Sequence, residues 1–248
     1  MGFPKLKNKH LFEALFSPSE FVKYKKWNKT NFPSKIIITY QKQTIRYFKR
    51  KFKGKYKLIK IAGNSFLLYK NIGILYLFGI GSPNATTIFE ELIAMGGKEF
   101  INMGSAGGLY NTGIFLCNKA LRDEGTSHHY LADGIYSYPN LDLTNRLKKY
   151  LNKYELKFNF GSTWTIDAPY RETKKEIIHY KKKGILTVDM ESSALFAVAK
   201  FRNVKIASVF VVSDILGNEK WVPQFHKLNL MKTLNKLLDV TIDCLLNF

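Results

Sequence analysis

The amino-acid sequence predicts an α/β protein, a single domain with a twisted, largely parallel central sheet flanked by helices. Short β-branched or aromatic runs alternate with segments of helical periodicity, which is the pattern of strands and helices in turn. Glycine-rich turns follow several of these runs. The chain has 248 residues, of which 46% are hydrophobic and 23% are charged. That composition is typical of a globular protein with a sizeable core.

The first 34 residues are predicted to form a basic interface segment, and the α/β domain is predicted to span residues 35–248. The segment mixes charged residues with isolated aromatic ones and contains Pro4, Pro18 and Pro33. Such a pattern disfavours a regular core element. Its apolar side chains exceed what a solvated tail should expose, so we expect self-association.

Four apolar runs after this segment are predicted to be strands, because β-branched and aromatic residues dominate them and polar or glycine clusters end them. They cover residues 34–40, 56–61, 65–69 and 72–78. A helix is predicted next. Ser82-Pro83 offers an N-cap followed by proline at the first helical position, and apolar residues recur at helical spacing up to Gly96-Gly97.

The second half continues the alternation of strands and helices. Residues 99–103 are predicted to be a strand and residues 104–108, Gly-Ser-Ala-Gly-Gly, a sharp turn. A strand, helix, strand and turn in this order are typical of a parallel βαβ unit. Further strands are predicted at 185–188 and 205–212, and helices at 192–201 and 225–246.

The net charge of +20 invites a nucleic-acid hypothesis. Residues 1–60 hold 17 Lys or Arg against Glu13 and Glu20 alone. No zinc-finger spacing or RNA-recognition signature accompanies this basic region, so nucleic acid is disfavoured as a partner. No apolar run is long enough to cross a bilayer and no signal peptide is evident, which predicts a cytoplasmic protein without a membrane partner.

The two cysteines, Cys117 and Cys244, lie far apart in apolar surroundings and are predicted to be core residues. The five histidines never form an HExxH motif, so we expect no protein-bound metal. Three segments after predicted strands carry the chemistry: GIGSP at 79–83, GSAGG at 104–108 and VSD at 212–214. Loops at strand ends form sites in parallel sheets, so these segments predict an anion-tolerant pocket with one acid at its edge.

Four longer segments resemble, in the same order, those of the nucleoside phosphorylase and uridine phosphorylase family. They are GIGSPNATTIFEELIAMGGKEFINMGSAGGL (79–109), ALRDEGTSHHYL (120–131), GSTWTIDAPYRET (161–173) and VDMESSALFAVAKFRNVKIASVFVVSD (188–214). The resemblance covers residues 35–216. It implies cleavage of a nucleoside by phosphate to free base and ribose 1-phosphate, with no cofactor. It also implies a dimer or hexamer whose sites a neighbouring subunit completes.

The resemblance assigns roles to three residues. Met190 and Glu191 match the motif that holds the ribose, where a carboxylate also supports an oxocarbenium-like transition state. Asp214 matches the acid that assists departure of a purine. The structural alternatives are a helix N-terminal acid for Glu191 and a turn or helix cap for Asp214. Asp214 favours a purine, whereas residues 120–131 resemble the uridine-cleaving branch more closely.

Residues 163–170 match the loop beside the base, and Thr163, Pro169 and Tyr170 are the predicted base contacts. Trp164 is a weaker stacking candidate, and Asp167 is expected to order the loop. Two further predictions complete the set. His10 is a candidate to reach a neighbour's site, and the pair His128 and His129 fits a surface or interface position better than a catalytic one.

The phosphate site departs from the family. Gly104 and Ser105 offer donors, but the three usual arginines are missing, and Asn102 stands where hydrolytic members also carry Asn. Arg46 or Lys42 is the best substitute cation. Phosphorolysis is slightly favoured because the central segments match that branch over a greater length. Hydrolysis is the alternative, although Gln41, Gln43 and Thr44 provide no base to activate water. A non-catalytic nucleoside- or RNA-binding protein is the third possibility.

Overall fold

The computed structural model describes residues 3–27, 29–77, 79–217 and 220–247. Strands and helices alternate along these ranges, as the sequence predicts. The strands are β1 (Lys35–Thr39), β2 (Tyr56–Ile61), β3 (Asn64–Tyr69), β4 (Ile72–Tyr76), β5 (Glu99–Gly108), β6 (Ile114–Asp123), β7 (Tyr136–Ser137), β8 (Phe158–Ile166), β9 (Ile185–Asp189), β10 (Lys205–Ile215) and β11 (Val222–Pro223). The α-helices are α1 (Pro18–Tyr24), α2 (Lys42–Lys51), α3 (Ser82–Met95), α4 (Leu141–Lys153), α5 (Lys174–Lys182), α6 (Ser192–Arg202) and α7 (Leu228–Leu246).

The eleven strands of the described ranges join one sheet, in which β5 pairs with β9 and also with β10. Because β10, β6, β8 and β9 are themselves paired in that order, these strands and β5 form a closed ring. Strands β1, β4, β3 and β2 extend the sheet away from it. The pairings along β10-β5-β1-β4 and along β6-β8-β9 are parallel, and antiparallel pairs join the two groups. The predicted fold class is confirmed.

Strand β1 shows how the sheet divides the core into two layers. Successive side chains of a strand point to opposite faces. Ile37 therefore packs in the cluster formed with α2, α4 and α7, whereas Ile36 and Ile38 pack with α3 and α6. None of the helices in the described ranges combines the length and apolar character needed to cross a membrane.

The prediction of a turn at residues 104–108 is wrong, because β5 continues to Gly108. The glycines there serve close packing between strands. A Cβ on Gly107 would lie 2.7 Å from Leu216 Cδ1 and 2.8 Å from Val188 Cγ1, too close to be accommodated without movement. These small residues therefore allow close packing against neighbouring segments and do not mark a turn.

Other element boundaries also differ from the predictions. Helix α7 begins at Leu228, not at Phe225, and β10 extends through Asp214. Phe78, at the end of the fourth predicted strand, lies outside the described residues. The sequence reading assigned no element to α2, α4, α5, β6 and β8, whose polar and charged positions obscure their periodicity.

The basic N-terminal segment is partly packed on the domain. Helix α1 begins with a capping box between Ser17 and Glu20 and buries Val22 completely. Phe32 stacks on Phe66 of β3 with ring centroids 5.2 Å apart. The side chain of Leu15, by contrast, is 99% exposed, and Phe12 and Phe16 are also exposed. The interface role of this segment stays a prediction.

Candidate active site

A cavity of about 760 Å³ lies at the carboxyl ends of β1, β5, β9 and β10. Strand ends of this kind gather loop side chains and free backbone donors, which is why sites of α/β proteins form there. The wall includes Ser105 from β5, Met190 and Glu191 after β9, and Asp214 from β10. The structure thus brings together residues from three separate segments of the sequence.

Glu191 is buried and its side chain crosses the cavity floor to the loop before α3. The Gly81 N–H donates to Glu191 Oε1 at 2.6 Å. Glu191 is the N-cap residue of α6, yet its side chain accepts no hydrogen bond from that helix. Glu191 thus stands at the N-terminus of α6, as the structural alternative states, but its carboxylate bonds to the loop before α3 and does not cap the helix.

The loop of Met190 and Glu191 is fastened from two sides. Ser82 Oγ donates to the Met190 carbonyl at 2.7 Å, which links the start of α3 to the end of β9. Asp189 accepts from Thr165 Oγ1 at 2.7 Å and from the Ser192 N–H at 2.8 Å. These bonds fix the backbone on both sides of Glu191, so its side chain is held in a defined position.

Burial, together with the nearby charge of Asp189, raises the pKa of Glu191 to about 8. The Gly81 and Met190 backbone donors act in the opposite direction. The ionised form therefore lacks full compensation in the ligand-free protein. Hydroxyl donors from a bound sugar would supply that compensation.

Asp214 is buried in the cavity wall and both of its oxygens accept hydrogen bonds. Ser213 Oγ donates to Oδ1 at 2.7 Å, and Trp221 Nε1 donates to Oδ2 at 2.9 Å. Asp214 lies within β10 and pairs with Pro223 of β11, so no helix or turn begins at this residue. The capping alternative is wrong. The two donors instead orient the carboxyl group toward the cavity that it lines.

The base-side residues occupy different depths. Pro169 and Tyr170 line the cavity, and Tyr170 is fully exposed at its mouth. Thr163 is buried behind the wall, where its hydroxyl donates to the Thr187 carbonyl at 3.2 Å. Trp164 is completely buried against Tyr180 and its Nε1 donates to Asp123, so stacking of Trp164 on a ligand is a wrong expectation. An aromatic side chain on an inward-facing strand position belongs to the core.

Asp167 lies outside the cavity wall and accepts from the Gly125 N–H at 2.8 Å. This contact ties the loop after β8 to the loop after β6.

Neutral polar side chains occupy the end of the cavity where phosphate was expected. Gln41 Nε2 donates to Ser105 Oγ at 3.2 Å, and Tyr40 Oη donates to Asn102 Oδ1 at 2.9 Å. The pKa of Tyr40 is raised by burial and by the charges of Glu191 and Asp189, which keeps its hydroxyl protonated. Gly104 lies in β5 beside the Tyr40 ring, as a Cβ on Gly104 would contact that ring at 3.2 Å.

The two residues predicted to replace the missing arginines do not line this cavity. Lys42 and Arg46 are exposed on α2 and are not among the residues that line the cavity. Helix α2 begins directly after Gln41, and Lys42 and Arg46 lie on its exposed side, whereas Thr44 and Ile45 are buried. Among the described residues, the cavity wall contains four carboxyl side chains and no Lys, Arg or His. The four are Glu172, Asp189, Glu191 and Asp214.

His10 lines a second cavity, of about 730 Å³, between the N-terminal segment and helices α3 and α6. His129 also borders it, and Lys9 Nζ lies 2.8 Å from His129 Nδ1. The pKa of His129 is lowered by burial and by the positive charges of Lys9 and His128. Neither histidine reaches the first cavity within this chain, and a contact with a neighbour's site stays a prediction.

Sequence reasoning missed several residues of the first cavity. Trp221 and Phe225 form an aromatic pair at its mouth, with ring centroids 6.3 Å apart. Glu172 lies in the base-side segment 161–173, and the sequence alone assigns it no role. Trp221 could have been found from the sequence because it lies only seven residues after Asp214. The segment between them is rich in polar residues and lacks helical periodicity.

Comparison with known proteins places the chain in a family. The sequence model of the Phosphorylase superfamily matches residues 37–245. An uncharacterized protein of Acanthamoeba polyphaga mimivirus is 36% identical over 149 residues, which are 57% of each protein. The guanosine phosphorylase of Halorubrum lacusprofundi is 25% identical over 57% of this chain and 61% of its own length. The matched segment thus spans about three fifths of the length of these relatives.

Solved structures share the fold over most of the chain. Uridine phosphorylase from Vibrio fischeri superposes with a TM-score of 0.77 at 24% identity, covering 89% of this chain and 95% of that one. AMP nucleosidase from Bacteroides thetaiotaomicron superposes with a TM-score of 0.76 at 20% identity, covering 94% of this chain and all of that one. Since the family match extends over most of the sequence, this chain belongs to the phosphorylase superfamily.

Proposed function

We propose that the protein cleaves the N-glycosidic bond of a purine nucleoside and uses water to accept the ribosyl group. Membership of the phosphorylase superfamily supports an enzyme that handles glycosidic bonds. One observation carries the choice of acceptor. The cavity wall holds four carboxyl groups and, among the described residues, no positively charged side chain.

A phosphate dianion is poorly suited to such a cavity. The cavity wall offers phosphate no cation among the described residues, and any ionised carboxylate of the wall repels it. Burying a dianion also requires several charge-assisted hydrogen bonds. Ser105 and Gln41 are neutral and already bonded to each other. They can hold a water molecule at much lower cost than a phosphate.

The ribose is assigned to Met190 and Glu191. The Gly81 N–H fixes Glu191 Oε1, and the carboxylate then accepts hydrogen bonds from the ribose hydroxyls. As the glycosidic bond lengthens, positive charge develops on the ring oxygen and C1′. A carboxylate held nearby in a buried site stabilises that charge without having to reorganise.

Asp214 is assigned to the departing base. A purine leaves readily only when N7 receives a proton or a strong hydrogen bond as the bond to C1′ breaks. The Ser213 and Trp221 donors hold the Asp214 carboxyl in one orientation for this task. Water then adds its oxygen to C1′ and releases one proton into the cavity, which restores the proton transferred to the base. The products are free purine and ribose.

Phosphorolysis is the second candidate, and two observations favour it. Ser105 faces the cavity at the end where the family resemblance implies phosphate. The guanosine phosphorylase of Halorubrum lacusprofundi is a named relative. Phosphorolysis in this chain requires cations from outside the described residues, supplied by a neighbouring subunit in a dimer or hexamer.

The test is an assay of the purified chain with purine and pyrimidine nucleosides, with and without 10-fold molar excess of phosphate over nucleoside. Free base, ribose and ribose 1-phosphate are separated and quantified. We expect purine and ribose at the same rate in both conditions. Turnover that requires phosphate and yields ribose 1-phosphate would overturn the hydrolytic assignment. A Glu191→Gln variant serves as the control for contaminating activity.

A further inference from the structure

Glu124 is a buried carboxyl group that the proposed function leaves without a role. It directly follows β6, within the segment 120–131, and only 5% of its surface is exposed. It is not among the residues that line the cavity of the candidate active site. Ser193 Oγ donates to its Oε1 at 2.7 Å, and the Ser127 N–H donates to its Oε2 at 2.9 Å. Protein donors on both oxygens of a buried carboxylate fix its position and that of the groups bonded to it.

The bond to Ser193 connects Glu124 to the loop that carries Glu191. Ser193 lies in the first turn of α6, and its N–H donates to Thr165 Oγ1 at 3.1 Å. Thr165 Oγ1 donates to Asp189 Oδ1 at 2.7 Å. Asp189 Oδ2 accepts from the Glu191 N–H at 3.3 Å. All five residues are buried, so water competes weakly for these hydrogen bonds.

Glu124 is also held from the side of β6. Arg122 Nε donates to Ser127 Oγ at 2.9 Å, and Arg122 Nη1 donates to the Ala132 carbonyl at 2.8 Å. Burial lowers the pKa of Arg122, and the charges of Glu124 and Asp133 act in the opposite direction. The charge of Glu124 thus stabilises the guanidinium that fastens the loop after β6. A carboxylate anchored in this way can fix the helix to which it bonds.

We propose that Glu124 is a positioning residue for Glu191, because it fixes the first turn of α6 and with it the carboxylate that holds the ribose. This inference rests on the ribose role of Glu191 in the proposed function. A carboxylate stabilises a transition state best when it is held in place beforehand, and a displacement of about 1 Å can cost 100-fold in rate. Gly81 fixes one oxygen of Glu191, whereas its backbone depends on the bonds that lead to Glu124.

Glu124→Gln is the first variant. An amide has one acceptor oxygen and one NH₂ group, so it cannot accept from the Ser193 hydroxyl and the Ser127 N–H together. We expect kcat/KM for inosine to fall about 10-fold, because a charge-assisted hydrogen bond that holds α6 is weakened. 2′,3′-Dideoxyinosine lacks the hydroxyls that donate to Glu191, so its kcat/KM should change by less than about twofold. Equal losses on the two nucleosides would indicate general damage to the structure and overturn the proposal.

Ser193→Ala separates the hydrogen bond from the charge of Glu124. Alanine removes the hydroxyl that donates to Glu124 but keeps the N–H that donates to Thr165. We expect the same selective loss on inosine, again about 10-fold. A normal inosine-to-dideoxyinosine ratio in this variant would assign any effect of Glu124→Gln to charge alone, which contradicts positioning. Ser193→Ala also decides the matter if Glu124→Gln does not fold.

The coupling to Glu191 is measured with a double variant, Glu124→Gln combined with Glu191→Gln. If Glu124 acts through Glu191, it has no carboxylate to position once Glu191 is replaced. The double variant should then cleave inosine with a kcat/KM within about twofold of that of Glu191→Gln alone. Independent effects add in free energy, so losses that multiply in the double variant would overturn the proposal.

Glu90→Gln is the matched control. Glu90 is 6% exposed, and it accepts from Arg202 Nε at 2.7 Å and from Arg202 Nη2 at 2.9 Å, at the opposite end of α6. The substitution therefore removes a buried charge and weakens a contact to the same helix, but leaves the bonds to Asp189 in place. We expect the inosine-to-dideoxyinosine ratio to stay within about twofold of the unaltered protein. A fall as large as that of Glu124→Gln would reflect the stability of α6 in general and overturn the proposal.

The outcomes separate this inference from the proposed function. Phosphate-dependent turnover contradicts the choice of water, yet the ratios above still test Glu124. Full activity of Glu191→Gln contradicts the ribose assignment and overturns the inference with it. If the unaltered protein cleaves no nucleoside, the proposed function is wrong, and calorimetry of inosine and 2′,3′-dideoxyinosine binding tests Glu124 without turnover. An unchanged affinity ratio in Glu124→Gln then overturns the inference.

Discussion

The cavity wall and residues 21–89 carry ionisable groups of opposite kind, carboxyl groups in the wall and cations in that part of the chain. Residues 21–89 contain 15 Lys or Arg and no Asp or Glu. Helix α2 and strand β2, which belong to this region, expose most of their cations to solvent. The cavity wall, by contrast, carries four carboxyl groups and, in the described ranges, no cation. The sign of the net charge therefore gives no information about the field inside the site.

The difference follows from where each kind of charge is stable. A lysine keeps its ammonium group in water while its stem packs along the surface, so a lysine-rich sequence builds a basic exterior. Exposed charges are screened over about 8 Å at physiological ionic strength. The buried carboxylates of the cavity are screened much less. They therefore dominate the choice of ligand, while the basic surface affects only the approach of anions.

The largest expected effect comes from Asp214→Asn, which removes the acid from the base side of the cavity. Cleavage of guanosine or inosine should fall by about 10² to 10⁴, because the purine then leaves without a proton donor. A nucleoside with an activated leaving group should lose much less. Steady-state kinetics on both substrates provides the measurement. Equal losses would mean that Asp214 only supports the structure.

Glu191→Gln should lower kcat/KM by about two orders of magnitude, or about 2.7 kcal/mol of transition-state stabilisation. In the unaltered protein, kcat/KM should rise with pH up to about 8, the value to which burial raises the pKa of Glu191, since the ionised form binds the ribose hydroxyls. An unchanged rate in the variant would exclude Glu191 from ribose binding.

The same variant should be more stable than the unaltered protein at pH 8. The folded state holds the Glu191 proton more tightly than the unfolded state, where the pKa is near 4.5. Folding thus loses stability as pH rises from 4.5 to about 8. Glutamine does not titrate, so the difference in unfolding free energy should grow across this range to roughly 2 to 5 kcal/mol. Denaturant titrations at pH 5 and pH 8 measure it, and an equal difference at both would contradict the pKa assignment.

A smaller effect is expected from Gln41→Arg, which places a cation beside Ser105 at the cavity end that now holds neutral groups. If charge alone excludes phosphate, this variant should be stimulated about 10-fold by phosphate and should form some ribose 1-phosphate. A Gln41→Met variant is the control for size and should show no stimulation. Failure of Gln41→Arg to respond would indicate that shape, not charge, selects water.

Much of this site was accessible from the sequence, because its strongest residues stand in contiguous motifs. Met190 and Glu191 follow β9 directly, and Asp214 ends the apolar run of β10, so local pattern and family resemblance located both. Most of the strands and helices that position them were predicted for the same reason. The Gly-Ser-Ala-Gly-Gly segment, predicted to be a turn but found in β5, shows the limit of prediction from local sequence. Glycine marks both turns and crowded strands, and only tertiary packing distinguishes the two.

The remaining features depend on contacts between distant segments. The hydrogen bond of Gln41 to Ser105 and that of Tyr40 to Asn102 join residues more than 60 positions apart. Burial of Trp164 depends on α5, an element that the sequence reading missed. The orientation of α2, which carries Lys42 and Arg46 away from the cavity, likewise follows from its packing through Ile45 and Phe48.

The smallest effect is expected from the cations themselves. Lys42 and Arg46 are exposed on α2, and no ion pair joins either to a residue of the described ranges. Replacing both with glutamine should change kcat/KM for guanosine by less than about threefold, since screened surface charges act weakly on a neutral substrate. The phosphate response should not change either.

If instead phosphate-dependent turnover exists and the double variant raises the KM for phosphate, these residues reach a site, either their own or that of a neighbouring subunit. Mixing the double variant with the Glu191→Gln chain, whose activity is about two orders of magnitude lower, distinguishes the two. Recovery of activity in the mixture would require an intact Glu191 in one subunit and an intact α2 in the other, and would show that the basic surface of one chain completes the acidic cavity of the next.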